Sequence, residues 1–181
     1  MTSHVKKTSE APADASANDG EVIFRAPELS DGARLWRMAS DSGTLDANTP
    51  YSYLLWCRDF AATSVVGCSG GSVITFITGY LRPEAPDTLF VWQVAVDAAH
   101  QRRGLARRSL DALVERVAQH HDVAYVEATV TPDNVPSARL FSGFARDKGA
   151  ALTTNSLFSS EQFHGGDHDE EVLYRIGPLP R

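Results

Sequence analysis

Apolar positions along this chain change their period several times, and each change marks an element. Residues 1–20, MTSHVKKTSEAPADASANDG, have no apolar period and are rich in small and polar residues and proline, so a disordered tail is expected there. Residues 21–181 read as one folded domain. EVIFRAP (21–27) has the look of a short strand. ELSDGARLWRMASDSG (28–43) contains a helix, because Leu35, Met38 and Ala39 fall at i, i+3 and i+4 and Gly43 supplies a stop. TLDANTP (44–50) is a polar loop, and YSYLLWCRDF (51–60) is a second short helix carrying Tyr51, Leu54, Leu55 and Phe60.

The period then shortens. Residues 64–82 form a hairpin of two β-branched runs joined at Gly70-Gly71. PEAPD (83–87) breaks the chain, and TLFVWQVAV (88–96) is apolar on both parities, which predicts a central strand covered on both faces. A helix is predicted from about Gly104 to His120, a strand over 123–131, and a helix after Asn134. One or two late strands follow, with EVLYRI (171–176) the clearest. Strand, helix and strand between residues 88 and 130 imply a right-handed crossover and a locally parallel pair, hence an α/β class.

Composition narrows function only a little. Apolar residues make up 43% and charged residues 22%, ordinary values for a globular domain. A net charge of -6 argues against general nucleic-acid binding. No apolar run reaches the ~18 residues of a membrane span, and no apolar stretch follows Lys6 and Lys7 as a secretory signal requires. Cys57 and Cys68 lack metal-site or disulfide-framework spacing, which fits reduced thiols in the cytoplasm.

Against that acidic balance, QRRGLA (Gln101–Ala106) stands out, with Arg107 and Arg108 just beyond it. It lies where the central strand gives way to a helix. Amides at a helix start are unpaired and carry partial positive charge, and a glycine lets an anion approach the backbone. Flanking arginines add charge-assisted bonds. Together these make a pyrophosphate cradle; a solvated basic helix face with a turn glycine is the plainer alternative.

The segment fits the Q/R-x-x-G-x-G/A signature, with Ala106 in the last place. The strand before it ends in VAV, and NVPSARLF (134–141) is similar to an N-x-x-A-x-x-L-Y segment. These features, with the element order, resemble the Gcn5-related N-acetyltransferase superfamily over residues 21–176. The resemblance implies that superfamily's mixed twisted sheet with a central parallel pair and flanking helices. It implies acetyl-CoA, with its pyrophosphate on the amides of Arg102, Arg103, Gly104, Leu105 and Ala106. Its pantetheine arm would run along the backbone of Val94 and Val96, with Asn134 touching the arm.

GTLDANTPYSYLL, PDTLFVWQVAV, VEATVTPDN and FHGGDHDEEVLYRIG further resemble a branch of that superfamily that acetylates the N4 amine of L-2,4-diaminobutyrate for ectoine biosynthesis. That branch implies a homodimer and substrate residues at Asp46, Tyr51, Trp92, His168 and Glu171.

The chemistry asks an amine to attack a thioester. Freeing the lone pair of a side-chain-type amine, pKa ~10.4, costs on the order of 3–4 kcal/mol at neutral pH. The α-amine is less basic, so selectivity for N4 has to come from positioning. Asp46 and Glu171 are the carboxylates chosen to hold ammonium groups, although Asp46 also suits a turn and Glu171 a solvated acidic run. Trp92 either fills the core or walls the pocket against a cation. Asn48 and the Tyr51 hydroxyl are further candidates. His164 and His168 are four apart, but Gly165 and Gly166 between them argue against a helical metal pair, and no metal is expected. Phe141 departs from the superfamily pattern, where a tyrosine protonates the departing thiolate. Glu127 is read either as a base acting through water or as a paired structural carboxylate, and the Val94 amide as the oxyanion donor. Acetylation of another amine or a protein N-terminus, and a non-catalytic acyl-CoA sensor, stay open at this point.

Overall fold

A computed structural model describes residues 21–43, 45, 48–163 and 169–180, so the tail expected over 1–20 lies outside the described residues. The elements follow in the order β1 (Ile23–Arg25), α1 (Gly32–Asp41), α2 (Pro50–Asp59), β2 (Val65–Ser69), β3 (Ser72–Arg82), β4 (Ala85–Val96), α3 (Leu105–Ala118), β5 (Tyr125–Val130), α4 (Val135–Lys148), β6 (Leu152–Phe158) and β7 (Glu171–Ile176). This is the order expected from the periodicity. Local chemistry sets the ends. Thr49 caps α2 by accepting from the Ser52 amide, and Pro50 opens the helix where no amide hydrogen is needed. Gly149 closes α4 in the left-handed conformation.

The strands form one seven-stranded sheet in the order β1-β2-β3-β4-β5-β7-β6. Only β4 and β5 run parallel; the other neighbours are antiparallel. One face packs on α3 and α4 through Leu89, Val91, Leu110, Leu113, Val126 and Phe144. The other face packs on α1 and α2 through Leu35, Met38, Tyr53, Phe76 and Ala95. Strands β2, β3 and β4 thereby contribute to both packed faces, through Val65 and Val66, Ile77 and Phe76, and Leu89 and Ala95.

Two expectations about the central strand need correction. PEAPD does not break the chain: Pro83 and Glu84 make a tight turn, and β4 resumes at Ala85, opposite Arg82. The register then jumps from Arg82↔Ala85 to Leu81↔Leu89, so Pro86 sits in a stretch where its missing amide hydrogen breaks no ladder.

Nor is β4 covered on both faces throughout. Val91 pairs with Gly79 and Gln93 with Thr78, which leaves Trp92 as the extra residue of a β-bulge. The bulge swaps parity. Leu89 and Val91 face α3 and α4 before it, whereas Val94 faces them after it and Ala95 faces α1 and α2. Apolar residues on both parities therefore record a shift of phase. Gly79 permits the bulge: a Cβ there would stand 2.7 Å from the Phe90 carbonyl oxygen and 3.1 Å from that of Thr63.

Candidate active site

The parallel ladder between β4 and β5 runs from Thr88↔Tyr125 to Val91↔Ala128 and stops there, one residue before the bulge. Beyond that point β4 continues to Val96 and β5 to Val130 without pairing to each other. The two strands splay, and the backbone of Val94 and Val96 lies along the opening. The side-chain Nε2 of Gln101 reaches back to donate to the Val96 carbonyl at 3.4 Å.

The chain then turns into α3. Arg102 (φ 61°) and Gly104 (φ 71°) both adopt left-handed backbone, and Gly104 stands at the N-cap with no side-chain cap. The first bond within the helix is from the Arg108 amide to the Gly104 carbonyl, 3.0 Å, so the amides of Leu105, Ala106 and Arg107 stand ahead of it at the positive end of the dipole. A Cβ on Gly104 would meet no protein atom within 4 Å, which leaves the approach to these amides open. No acidic residue lies in the first turn. This is a fit for a pyrophosphate.

The turn is anchored from behind. Asp97 accepts from the Ala99 amide at 3.0 Å, pairs with His100 Nδ1 at 3.1 Å, and binds Arg34, which also donates to the Val73 carbonyl at 3.1 Å. Burial alone would raise the Asp97 carboxyl, but the His100, Arg34 and Ala99 hydrogen bonds outweigh it and hold it below the usual carboxylate range.

The arginine cluster divides. Arg102 and Arg103 are exposed at the turn. Arg107, read from sequence as part of the cradle's charge, is instead paired with Asp111 (2.9 Å) and Asp147 (2.6 Å) and stacks on Phe144, 5.0 Å from the ring centre. Its charge joins α3 to α4. Arg108 lies over Phe24.

On the face of the sheet opposite α3 and α4, beside the splay, is a cavity of about 680 Å³. Tyr80, Phe90 and Trp92 form an aromatic wall, and Leu157, Phe158 and Phe163 close another side. Trp92 is 50% exposed, with Trp56 behind it at 5.9 Å between ring centres. Gln93 lies at the floor, where the Tyr53 hydroxyl donates to it at 3.0 Å. Burial pushes the Tyr53 phenol up, so it stays a neutral donor. Four carboxylates line the cavity, Glu127, Asp133, Asp169 and Glu171, and Arg82 is the only cation among the described lining residues. Glu127 is 2% exposed and is held by Arg82 at 3.0 Å and by Arg175. Arg175 in turn stacks on Tyr125 at 3.8 Å.

Of the substrate residues expected from sequence, Trp92 and Glu171 are brought together here. Asp46 and His168 lie outside the described residues, as does His164; their sequence neighbours Leu45, Asn48, Phe163 and Asp169 do line the cavity. Tyr51 is not part of the lining; it projects from the first turn of α2, 66% exposed. Asn134 borders the cavity, but its side-chain oxygen caps α4 through the Ser137 amide at 3.1 Å, which leaves its amide nitrogen for any contact with the arm. Phe141 is buried against Tyr174. Burial pushes the Cys57 thiol up to about 11 and Cys68 up as well, so neither is a ready thiolate. Sequence reasoning missed Arg82 and Arg175, which carry no motif and meet Glu127 from 45 and 48 residues away.

Splayed parallel strands, a glycine-started helix beside them and an acidic, aromatic cavity at the fork define an acyl-CoA-dependent N-acyltransferase. Residues 32–144 match the model of the acetyltransferase (GNAT) family, and the chain belongs to that family. Within it, the similarity is narrower. The chain is 55% identical to the L-2,4-diaminobutyric acid acetyltransferase of Streptomyces coelicolor over 91% of its own length and 97% of the relative's. It is 43% identical to that of Virgibacillus pantothenticus over 86% and 97%. Its structure is similar to diaminobutyrate acetyltransferase from Paenibacillus lautus in complex with L-2,4-diaminobutyric acid and coenzyme A, with a TM-score of 0.85 at 40% identity, covering 90% and 98% of the two chains. Ard1 from Thermoplasma volcanium, at 20% identity and a TM-score of 0.69, shares the fold.

Proposed function

We propose that this enzyme transfers acetyl from acetyl-CoA to the N4 amine of L-2,4-diaminobutyrate, giving N4-acetyl-L-2,4-diaminobutyrate for ectoine biosynthesis. The observation that carries the reading is the pairing of an acidic, aromatic cavity with the fork of β4 and β5. The co-substrate's pyrophosphate sits on the amides from Arg102 to Ala106, and its arm follows Val94 and Val96 as an added strand would. The thioester then stands at the fork, beside the bulge at Trp92. The substrate approaches from the cavity, with its ammonium groups on Glu171 and, in the loop after α1, Asp46. His168 belongs to the same reading as a substrate residue. Tyr51 belongs to it as a substrate residue of the family resemblance, presented on the exposed face of the first turn of α2.

Positioning explains why N4 reacts although the α-amine is easier to deprotonate. Desolvation of the ammonium between Trp92 and Phe90 disfavours its charged form, against the pull of the ring faces that holds it there, and the proton leaves to solvent water before the free amine attacks. The Val94 amide is the donor for the developing oxyanion. Glu127 has both oxygens occupied by arginines, which favours a structural counter-ion over a general base. Phe141 offers no proton to the departing sulfur. A thiolate of pKa near ~8.5 is a tolerable leaving group without one. The enzyme is read as a cytoplasmic homodimer. Incubation of the purified chain with acetyl-CoA and L-2,4-diaminobutyrate, followed by fragmentation mass spectrometry, tests the assignment. Acetyl on N4 is expected; acetyl on N2, or no product, overturns it.

A further inference from the structure

We propose that Arg82 is the anchor for the substrate's carboxylate, and so the residue that restricts the enzyme to an amino acid rather than a simple diamine. The inference rests on the reading of the cavity as the diaminobutyrate site. That substrate carries two ammonium groups and one carboxylate. The cavity carries the complement: acidic residues and, among the described lining residues, one cation. A carboxylate entering it has a single guanidinium to meet.

Arg82 is built for that task. It stands at the end of β3, where the tight turn into β4 fixes its backbone opposite Ala85. Its side chain is 40% exposed, and the one hydrogen bond it makes among the described residues runs through Nη1 to Glu127 at 3.0 Å. A guanidinium has five donors in a planar fork, so most of its capacity remains. Glu127 is almost wholly buried and is shared with Arg175, so two cations face one anion. The cluster keeps a net positive charge that Glu127 orients and does not cancel.

The reach is also right. Glu127 is level with Phe90 in the parallel ladder, and Trp92 at the fork is two residues further along β4. Two strand residues span roughly 6.6 Å. The carboxyl carbon and N4 of extended diaminobutyrate are separated by on the order of 5 Å by ordinary bond lengths. A substrate with its carboxylate on Arg82 thus presents N4 at the fork and leaves its α-ammonium beside the carboxylates of the cavity.

The test compares L-2,4-diaminobutyrate with 1,3-diaminopropane, which is the same molecule without the carboxylate, and with L-2,4-diaminobutyramide, which keeps the shape and loses the charge. Wild type should prefer diaminobutyrate over both by roughly 10- to 150-fold in kcat/KM, the range for hydrogen bonds to a charged group. Arg82→Gln should collapse that preference by at least tenfold, mostly through KM, and Arg82→Lys should restore part of it. Equal turnover of the acid and its amide by wild type overturns the proposal without any variant. So does an Arg82→Gln enzyme that loses activity on all three substrates in the same proportion, since a purely structural Arg82 gives that pattern. Failure of wild type to acetylate diaminobutyrate at all, with turnover of another amine, would instead overturn the functional reading on which the proposal stands.

Discussion

Gly104→Ala separates a strained backbone from a crowded ligand site. Gly104 has φ 71°, where an L-residue costs about 1–2 kcal/mol. Its Cβ would meet no protein atom within 4 Å, so no clash adds to that cost in the ligand-free enzyme. For a chain of this size about 1–2 kcal/mol lowers Tm by roughly 2–8 °C. Gly149 offers a matched control. It has φ 63°, also with nothing within 4 Å, but closes the C-terminal end of α4 and adds no amide at the start of α3. Gly149→Ala should lower Tm by a similar amount. The two variants should part company in acetyl-CoA binding. On the proposed cradle, the methyl group of Gly104→Ala would lie in the space through which phosphate oxygens would reach the amides of Leu105 and Ala106. Loss of one such contact is worth about 1.5–3 kcal/mol, or roughly 10- to 150-fold in Kd. Isothermal titration with acetyl-CoA measures this, with differential scanning calorimetry for stability. Equal, wild-type affinity in both variants would refute the cradle. So would an equal loss in both, because it would trace the effect to stability alone.

Three further outcomes are expected. Glu171→Gln should raise KM for the amine about 10- to 150-fold, leave acetyl-CoA affinity near wild type, and leak product toward N2; clean N4 product at wild-type kcat/KM would make Glu171 a bystander. Gly79→Ala should destabilise by about 1–3 kcal/mol, because its Cβ would press on backbone oxygens of Phe90 and Thr63 that no rotamer change relieves, and urea midpoints read this directly. Stability should also fall in acid. Burial would raise the Asp31 carboxyl, but the Arg25 side chain and the Glu28 amide hold it below its ordinary value, and Asp97 is depressed likewise. A depressed folded-state pKa means the stabilisation is fully present above the unfolded value of ~3.9 and is lost as pH falls through the folded one. Urea midpoints between pH 6 and pH 3 should drop less steeply in the Asp31→Asn, Asp97→Asn double variant, and an unchanged slope would exclude these two groups as the cause.

What could be read in advance follows the range of the forces involved. The strand end and the glycine-started helix after it are legible because their parts are neighbours in the chain. The hidden fate of Arg107 was also local, since Asp111 lies four residues on and a helix brings that pair together. The signal was present, and the fuller arginine cluster obscured it. Arg82 was not legible at all. Its role depends on Glu127, 45 residues away on a strand that is not even its neighbour in the sheet. The bulge at Trp92 belongs to a third kind. A bulge is a mismatch of counts between two strands, so β4 alone displays only an apolar run with no period. The other half of the signal is Gly79 on β3, a glycine inside a β-branched strand, which marks a bulge or a close backbone approach. Together the two explain the site in one step. The extra residue turns Trp92 out of the core and into the cavity. It falls one residue beyond the end of the parallel ladder with β5, so the opened edge of β4 and the cavity adjoin at the same place. An irregularity that costs sheet pairing therefore opens the edge of β4 and turns an aromatic side chain into the cavity at one point of the strand.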